Sequence, residues 1–184
     1  HRPVTRSGGT VGFFSVLSRD KGFACLPVVI KRMIACGHLI DHLVLAGERA
    51  DPPLYISVVN ELSDIGVEVS FRGGLANAEV RGLMSECDCV FFLSVSSIES
   101  LGRVMIEASE QGVPVVTADF GAARDLVHAD YRVPVKYLPS ASGPCDTAFP
   151  LAQLDLTNWK PPDILSSEAC FLNAVSDYRD DRQT

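Results

Sequence analysis

The stretch VGFFSVLSRDKGFACLPVVIKRMIACGHLIDHLVLA, residues 11–46, reads as one strand–helix–strand unit, and the rest of the chain repeats its logic. Its opening, VGFFSVL (11–17), is aromatic and β-branched without polar alternation, the pattern of a strand covered on both faces. Residues 23–35 carry apolar side chains at helical spacing. Pro27 is tolerable there only in the first turn, and Gly37 ends the helix just past its C-cap. A second strand follows at 42–46.

The same alternation continues outward. After the loop GERADPP, residues 54–64 read as a helix stopped by Gly66, and VEVSF (67–71) as a third strand. Asn77 is the expected cap of a helix running to Glu86. CVFFL (89–93) is a fourth, central strand; a helix over 101–111 stops at Gly112, and 113–118 (VPVVTA) is a fifth strand. Single helical crossovers between successive strands are right-handed and give a parallel sheet with helices on both faces. The fold class is therefore α/β, a doubly wound Rossmann-like parallel sheet. Ligands bind such sheets at the carboxyl ends of the strands.

Beyond Val127 the periodicity weakens. Residues 133–137 suggest a short strand, 138–162 show no clear period, and 168–178 suggest a terminal helix. The expected organisation is a start or interdomain linker at 1–9, a Rossmann-like domain at 10–137, and an irregular wrap with a C-terminal helix of the same domain at 138–184. The start at His1, without a charged-then-apolar leader, reads as a piece of a longer protein.

Composition excludes several classes. The 184 residues carry 16 Lys+Arg against 23 Asp+Glu, a net charge of −7, with no long basic run to neutralise a nucleic-acid backbone. Hydrophobic residues make up 47%, which is ordinary for a globular domain and excludes disorder. Lys31 and Arg32 interrupt the best apolar run, so no membrane span is expected, and the chain reads as soluble. The six cysteines show no CxxC spacing and read as free buried thiols of a reducing compartment. His38 and His42 straddle a helix end and a strand start, a poor arrangement for a metal.

Three features converge on the carboxyl edge of the sheet. Lys21, in SRDKG after the first strand, lies on a strand-to-helix loop where helix N–H groups add positive potential. It is either a phosphate ligand or, with Arg19, a solvated loop charge. The segment SSIESLG joins the central strand to a helix, so N–H groups around Leu101, Gly102 and Arg103 face a second potential anion site. Glu99 beside it either reaches past an anion to hydroxyl groups or merely favours the helix start. Glu107 lies about 11 Å further along the helix axis. It suits the far end of an extended ligand, or pairs with Arg103 one turn before it.

Taken in order, SxLSRDKG, VSFRGGL, ESLGRVMIEA and GVPVVTADFGAARDLV resemble the C-terminal, donor-binding domain of family 4 type glycosyltransferases of the GT-B fold, glycosyl transferases group 1, over roughly 11–127. The resemblance implies one half of a GT-B enzyme. Lys21 would then hold the donor diphosphate, Glu99 the hydroxyls of the transferred sugar, and the Leu101 and Gly102 N–H groups the diphosphate. Glu107 would take the ribose hydroxyls, and Arg72 and Gly73 would line the nucleobase pocket. Glu99 and Lys21 are the residues implied in catalysis. The family pattern needs no metal and no tightly bound cofactor; its donor is a UDP- or GDP-linked sugar. The implied acceptor, a glycan or lipid-linked sugar, is held by a separate N-terminal domain, so this chain alone would transfer little. A cytoplasmic setting is implied, with membrane-peripheral attachment of the whole protein as the alternative.

One position departs from the pattern. The family places an Arg at the end of the first strand where this sequence has Val16, and a lost charge-assisted contact costs about 1.5–3 kcal/mol. Arg19 and Arg103 are the candidates to replace it. The alternative reading is a non-catalytic nucleotide-binding or scaffold module of the same fold. A receiver-like signalling domain is disfavoured, because the first strand ends in VLSRDKG rather than in clustered carboxylates.

Overall fold

In the computed structural model, residues 8–95, 102–138, 151–162, 164 and 170–172 are described. The elements are β1 (Gly9–Phe14), α1 (Leu26–Ala35), β2 (Ile40–Ala46), α2 (Pro52–Ser63), β3 (Glu68–Phe71), α3 (Asn77–Ser85) and β4 (Cys89–Phe92). There follow α4 (Arg103–Glu110), β5 (Val115–Ala118), α5 (Ala123–Leu126), β6 (Arg132–Val133), β7 (Val135–Leu138) and β8 (Leu151–Leu154). Strands β1 to β6 form one parallel sheet in the order β3-β2-β1-β4-β5-β6, and β7 and β8 form an antiparallel pair. The Rossmann-like α/β fold read from the sequence is the fold of the protein.

Successive residues of each central strand feed opposite faces. Phe13 and its cross-strand partners Leu45 and Phe91 belong to the core beneath α1 and α2, with Leu26, Ile30, Leu54 and Leu62. Phe14, Ala46 and Phe92 belong to the core on the other face, with Met84, Met105 and Ile106. The absence of polar alternation in VGFF and CVFF is the chemical consequence of helices on both sides.

Several boundaries differ from the sequence reading. The first strand ends at Phe14, and 15–17 form a loop anchored by Leu17, which is fully buried. A short 3₁₀ turn at Phe23–Cys25 precedes α1, which keeps Pro27 in its first turn. The cap of α3 is Ala76 rather than Asn77: the Glu79 carboxylate reaches back to accept from the Ala76 N–H at 3.0 Å. Helix α4 starts at Arg103, because Gly102 holds a left-handed φ of 60° that helical residues do not adopt.

The strand expected over 133–137 is split by Pro134, which has no N–H to donate: Val133 stays in the main sheet and Val135 begins the β7–β8 pair. That pair places regular structure at 151–154, inside the segment read as an irregular wrap. Trp159 beyond it is buried in the α1–α2 core, and its carbonyl accepts from Arg32 Nε at 3.0 Å. Of the helix expected at 168–178, only 170–172 are described, and they are not helical: Cys170 lies in a turn and Phe171 in an isolated bridge. Cys170 O accepts from His128 N–H at 2.8 Å and Leu172 N–H donates to Leu126 O at 3.0 Å, bridging Phe171 to Val127.

Candidate functional site

The sheet order puts β1 and β4 side by side, although the chain leaves them in opposite directions, toward β2 and toward β5. Connections that diverge from neighbouring strands open a crevice at their carboxyl ends. Here that crevice is a cleft of about 360 Å³. Its lining includes Phe14, Ala46 and Phe92, the last residues of β1, β2 and β4. Around them stand Ser15, Val16 and Lys21 of the loop after β1, Gly47 and Glu48 after β2, Gly74, Leu75 and Asn77 before and at the start of α3, and Arg103, Val104 and Glu107 of α4.

The Lys21 loop is fixed by its neighbours. Gly22 N–H donates to Arg19 O at 3.0 Å, Ser18 Oγ donates to Asp20 Oδ1 at 2.5 Å, and Ser94 Oγ from the loop after β4 donates to Asp20 O at 3.2 Å. Gly22 itself has φ 78°, and a Cβ there would run into the Leu93 carbonyl. The loops after β1 and β4 therefore touch through backbone, and only glycine permits it. The loop after β2 closes in the same way, since a Cβ on Gly47 would meet the Ser15 carbonyl.

Of the residues singled out by sequence, the cleft collects Lys21, Arg103 and Glu107. No ion pair joins Arg103 to Glu107, so the reading of Glu107 as a mere partner of that arginine is not what the structure holds. Gly102 is buried next door, in a small hollow shared with Phe92, Ser94 and Met105. Arg72 and Gly73 do not line the cleft. The Arg72 N–H donates to Leu45 O at 2.8 Å and the Gly73 carbonyl accepts from Gly47 N–H at 2.8 Å, so this pair serves as the strut that carries Gly74 and Leu75 to the wall. Glu99 and Leu101 lie outside the described residues.

Residues 8–139 match the model of the family glycosyl transferases group 1. The chain belongs to that family. Among solved structures, Anabaena HepE in complex with UDP and glucose is similar at 30% identity and a TM-score of 0.54, over 65% of this chain and 32% of that one. HepE in complex with UDP is similar at 30% identity and a TM-score of 0.56, over 67% and 33%. A glycosyltransferase from Rickettsia africae ESF-5, at 17% identity and a TM-score of 0.53 over 66% and 31%, shares the fold. The chain thus spans about a third of the length of these HepE chains. No curated protein is matched by the sequence.

Two polar residues of this group 1 glycosyltransferase cleft escaped the sequence reading, Glu48 and Asn77. Glu48 sits one residue beyond Gly47 in the loop that directly follows β2, and that strand-end position was the available signal; Asn77 was read as a cap. Thiol chemistry is not what this glycosyltransferase domain offers at its core. Burial pushes Cys87 up to about 12 and Cys170 up to about 12, and it raises Cys25 and Cys89 as well. Among the described residues no group of three His, Cys, Asp or Glu could hold a metal, and His42 Nε2 is hydrogen-bonded to Ser70 Oγ at 2.7 Å. No helix among them is long and apolar enough to cross a membrane.

Proposed function

We propose that this chain is the nucleotide-sugar-binding, C-terminal half of a family 4 type GT-B glycosyltransferase that transfers a hexosyl group with retention of configuration. The observation that carries the reading is the cleft itself: Lys21 and Arg103 stand with Glu107 at the crevice between β1 and β4, where doubly wound sheets take their ligands. The HepE complexes with UDP point to UDP as the nucleotide to test first, ahead of GDP.

In this reading Lys21 and the N–H groups at Leu101 and Gly102 neutralise the diphosphate. Glu107, about one turn into α4, receives the ribose hydroxyls, and Glu99 orients the sugar. The nucleobase rests against the wall that Arg72 and Gly73 support. The bond between the anomeric carbon and the diphosphate oxygen breaks with its electron pair leaving on the phosphate. Fixed cations and backbone N–H groups aimed at that oxygen lower the barrier without rearranging during the step. The acceptor hydroxyl, held by an N-terminal domain, forms the new bond, and its proton leaves toward the departing phosphate. The chain alone transfers little sugar for that reason. A cytoplasmic setting, with peripheral membrane attachment of the whole protein as the alternative, goes with this role.

Titration calorimetry with UDP and GDP tests the reading. One nucleotide should bind, and Lys21→Ala should weaken it about tenfold or more, the size of a charge-assisted hydrogen bond. Unchanged affinity in Lys21→Ala removes the role given to that lysine. The exposed Val16 at the cleft wall favours one second reading, a scaffold module that has lost its donor; a folded chain that binds neither nucleotide would support it.

A further inference from the structure

The loop after β1 presents residue 16 to the cleft in a fixed way. Ser15 N–H donates to Ala46 O at 3.1 Å, Leu17 N–H donates to Glu48 O at 2.8 Å, and the Val16 carbonyl accepts from Ser18 N–H at 3.0 Å. Leu17 is buried to 0% exposure while Val16 remains 37% exposed and lines the cleft. The position best held to reach a ligand therefore carries an apolar side chain, and this loop offers the cleft only Lys21 as a cation.

Among the described residues the other cation lining the cleft is Arg103, and the carboxylates lining it are Glu48 and Glu107. Among the described residues Arg103 makes no hydrogen bond or ion pair, even with Glu107 one turn along the same helix. It also stands at the first position of α4, where a positive side chain opposes the helix dipole. An arginine that is unpaired, exposed and placed against the dipole contributes nothing to the fold that the helix could not have from a neutral residue. An anion in the cleft would reverse both costs, being attracted by the guanidinium and by the helix start together.

We infer that Arg103 is a direct ligand of the donor diphosphate, the second cation beside Lys21, engaging phosphate oxygens through the planar fork of its guanidinium. This rests on the donor-site reading above and assigns a specificity-determining residue within it: Arg103 discriminates diphosphate-bearing ligands from the bare nucleoside.

The test titrates UDP and uridine into the 184-residue chain, into Arg103→Gln, and into Arg103→Gln carrying Val16→Arg. Arg103→Gln should weaken UDP about 10- to 100-fold and leave uridine unchanged, since only the phosphates lose a partner. Val16→Arg should recover part of the loss, because residue 16 faces the same cleft. Thermal melting keeps the comparison sound, as an exposed first-turn residue is replaced without loss of packing. UDP affinity unaltered in Arg103→Gln overturns the inference and leaves the donor site standing. Equal losses for UDP and uridine also overturn it, because the residue would then support the cleft generally. Failure of the unsubstituted chain to bind UDP takes down the donor-site reading and this inference with it.

Discussion

Gly22 offers the sharpest test of how the site is built, through Gly22→Ala measured beside Gly66→Ala. The two glycines share a left-handed backbone, φ 78° and 81°, so alanine pays about the same 1–2 kcal/mol for that conformation at either place. They differ in surroundings. A Cβ at Gly66 meets nothing within 4 Å, whereas one at Gly22 overlaps the carbonyl of Leu93. That carbonyl is backbone at the end of β4 and cannot rotate away, so Gly22→Ala carries an overpacking cost of about 2 kcal/mol beyond Gly66→Ala. For a domain of this size each kcal/mol moves the melting temperature by about 2–4 °C, so Gly22→Ala should melt about 4–8 °C below Gly66→Ala. Circular dichroism melts of the two variants measure the difference. Because relief of the overlap pushes the 18–22 loop away from β4, nucleotide affinity should fall in Gly22→Ala and hold in Gly66→Ala. Equal melting temperatures would refute the claim that the loops after β1 and β4 are locked through backbone contact.

Glu107→Gln should narrow the preference for UDP over its 2′,3′-dideoxy analogue, which the unsubstituted chain should show at about tenfold; equal affinity for both in the unsubstituted chain would end the ribose assignment. Under native conditions at pH 8, iodoacetamide should modify the exposed Cys36 while sparing Cys87 and Cys170, whose thiols burial raises to about 12; peptide mapping that finds Cys170 modified as fast as Cys36 would contradict the packing. Asp155 is lowered from 3.8 to about 2 chiefly by the side-chain hydrogen bond from Lys136, at 2.8 Å. A depressed carboxyl contributes fully above its unfolded value and is lost as pH falls from about 4 toward 2, so Lys136→Ala should raise Asp155 only part of the way to the ordinary range in an NMR titration, because the Thr157 hydrogen bonds to it remain.

The fold was legible wherever burial on both faces left its mark. VGFF and CVFF carry consecutive apolar side chains because Phe13 and Phe14, and likewise Phe91 and Phe92, serve different cores. Where a side chain's reach or a partner distant in sequence decides the structure, the reading fell short. Glu79 takes the cap of α3 from three residues inside the helix, which displaced the start expected at Asn77. Leu151–Leu154 becomes a strand through pairing with Val135–Leu138, across a twelve-residue connection too long to fix the register from sequence. Cys170, expected in a helix, instead accepts the Val115 N–H on its sulfur at 3.2 Å, a contact 55 residues away.

The site divides along the same line. Lys21, Arg103 and Glu107 were legible because each follows a strand directly or lies on the helix after it, so strand assignment alone sends them to one edge of the sheet. Arg72 and Gly73 follow a strand too, yet β3 is the sheet's outermost strand, and the crevice opens between β1 and β4. What reaches the cleft from β3 is therefore the chain further on, Gly74 and Leu75, after Gly73 has bonded across to Gly47. Glu48 arrives by the shorter route, since β2 adjoins β1 and the Gly47 backbone packs against Ser15 too closely for any side chain. Sheet order, which the crossover rule constrains but does not spell out residue by residue, thus decides which of several strand-end loops can touch one ligand. Among the described residues two carboxylates and two cations, from the loops after β1 and β2 and from α4, meet here because β1 lies between β2 and β4. A variant that loosened the β1–β2 loop contact at Gly47 should separate Glu48 from Lys21 without disturbing either residue's own strand.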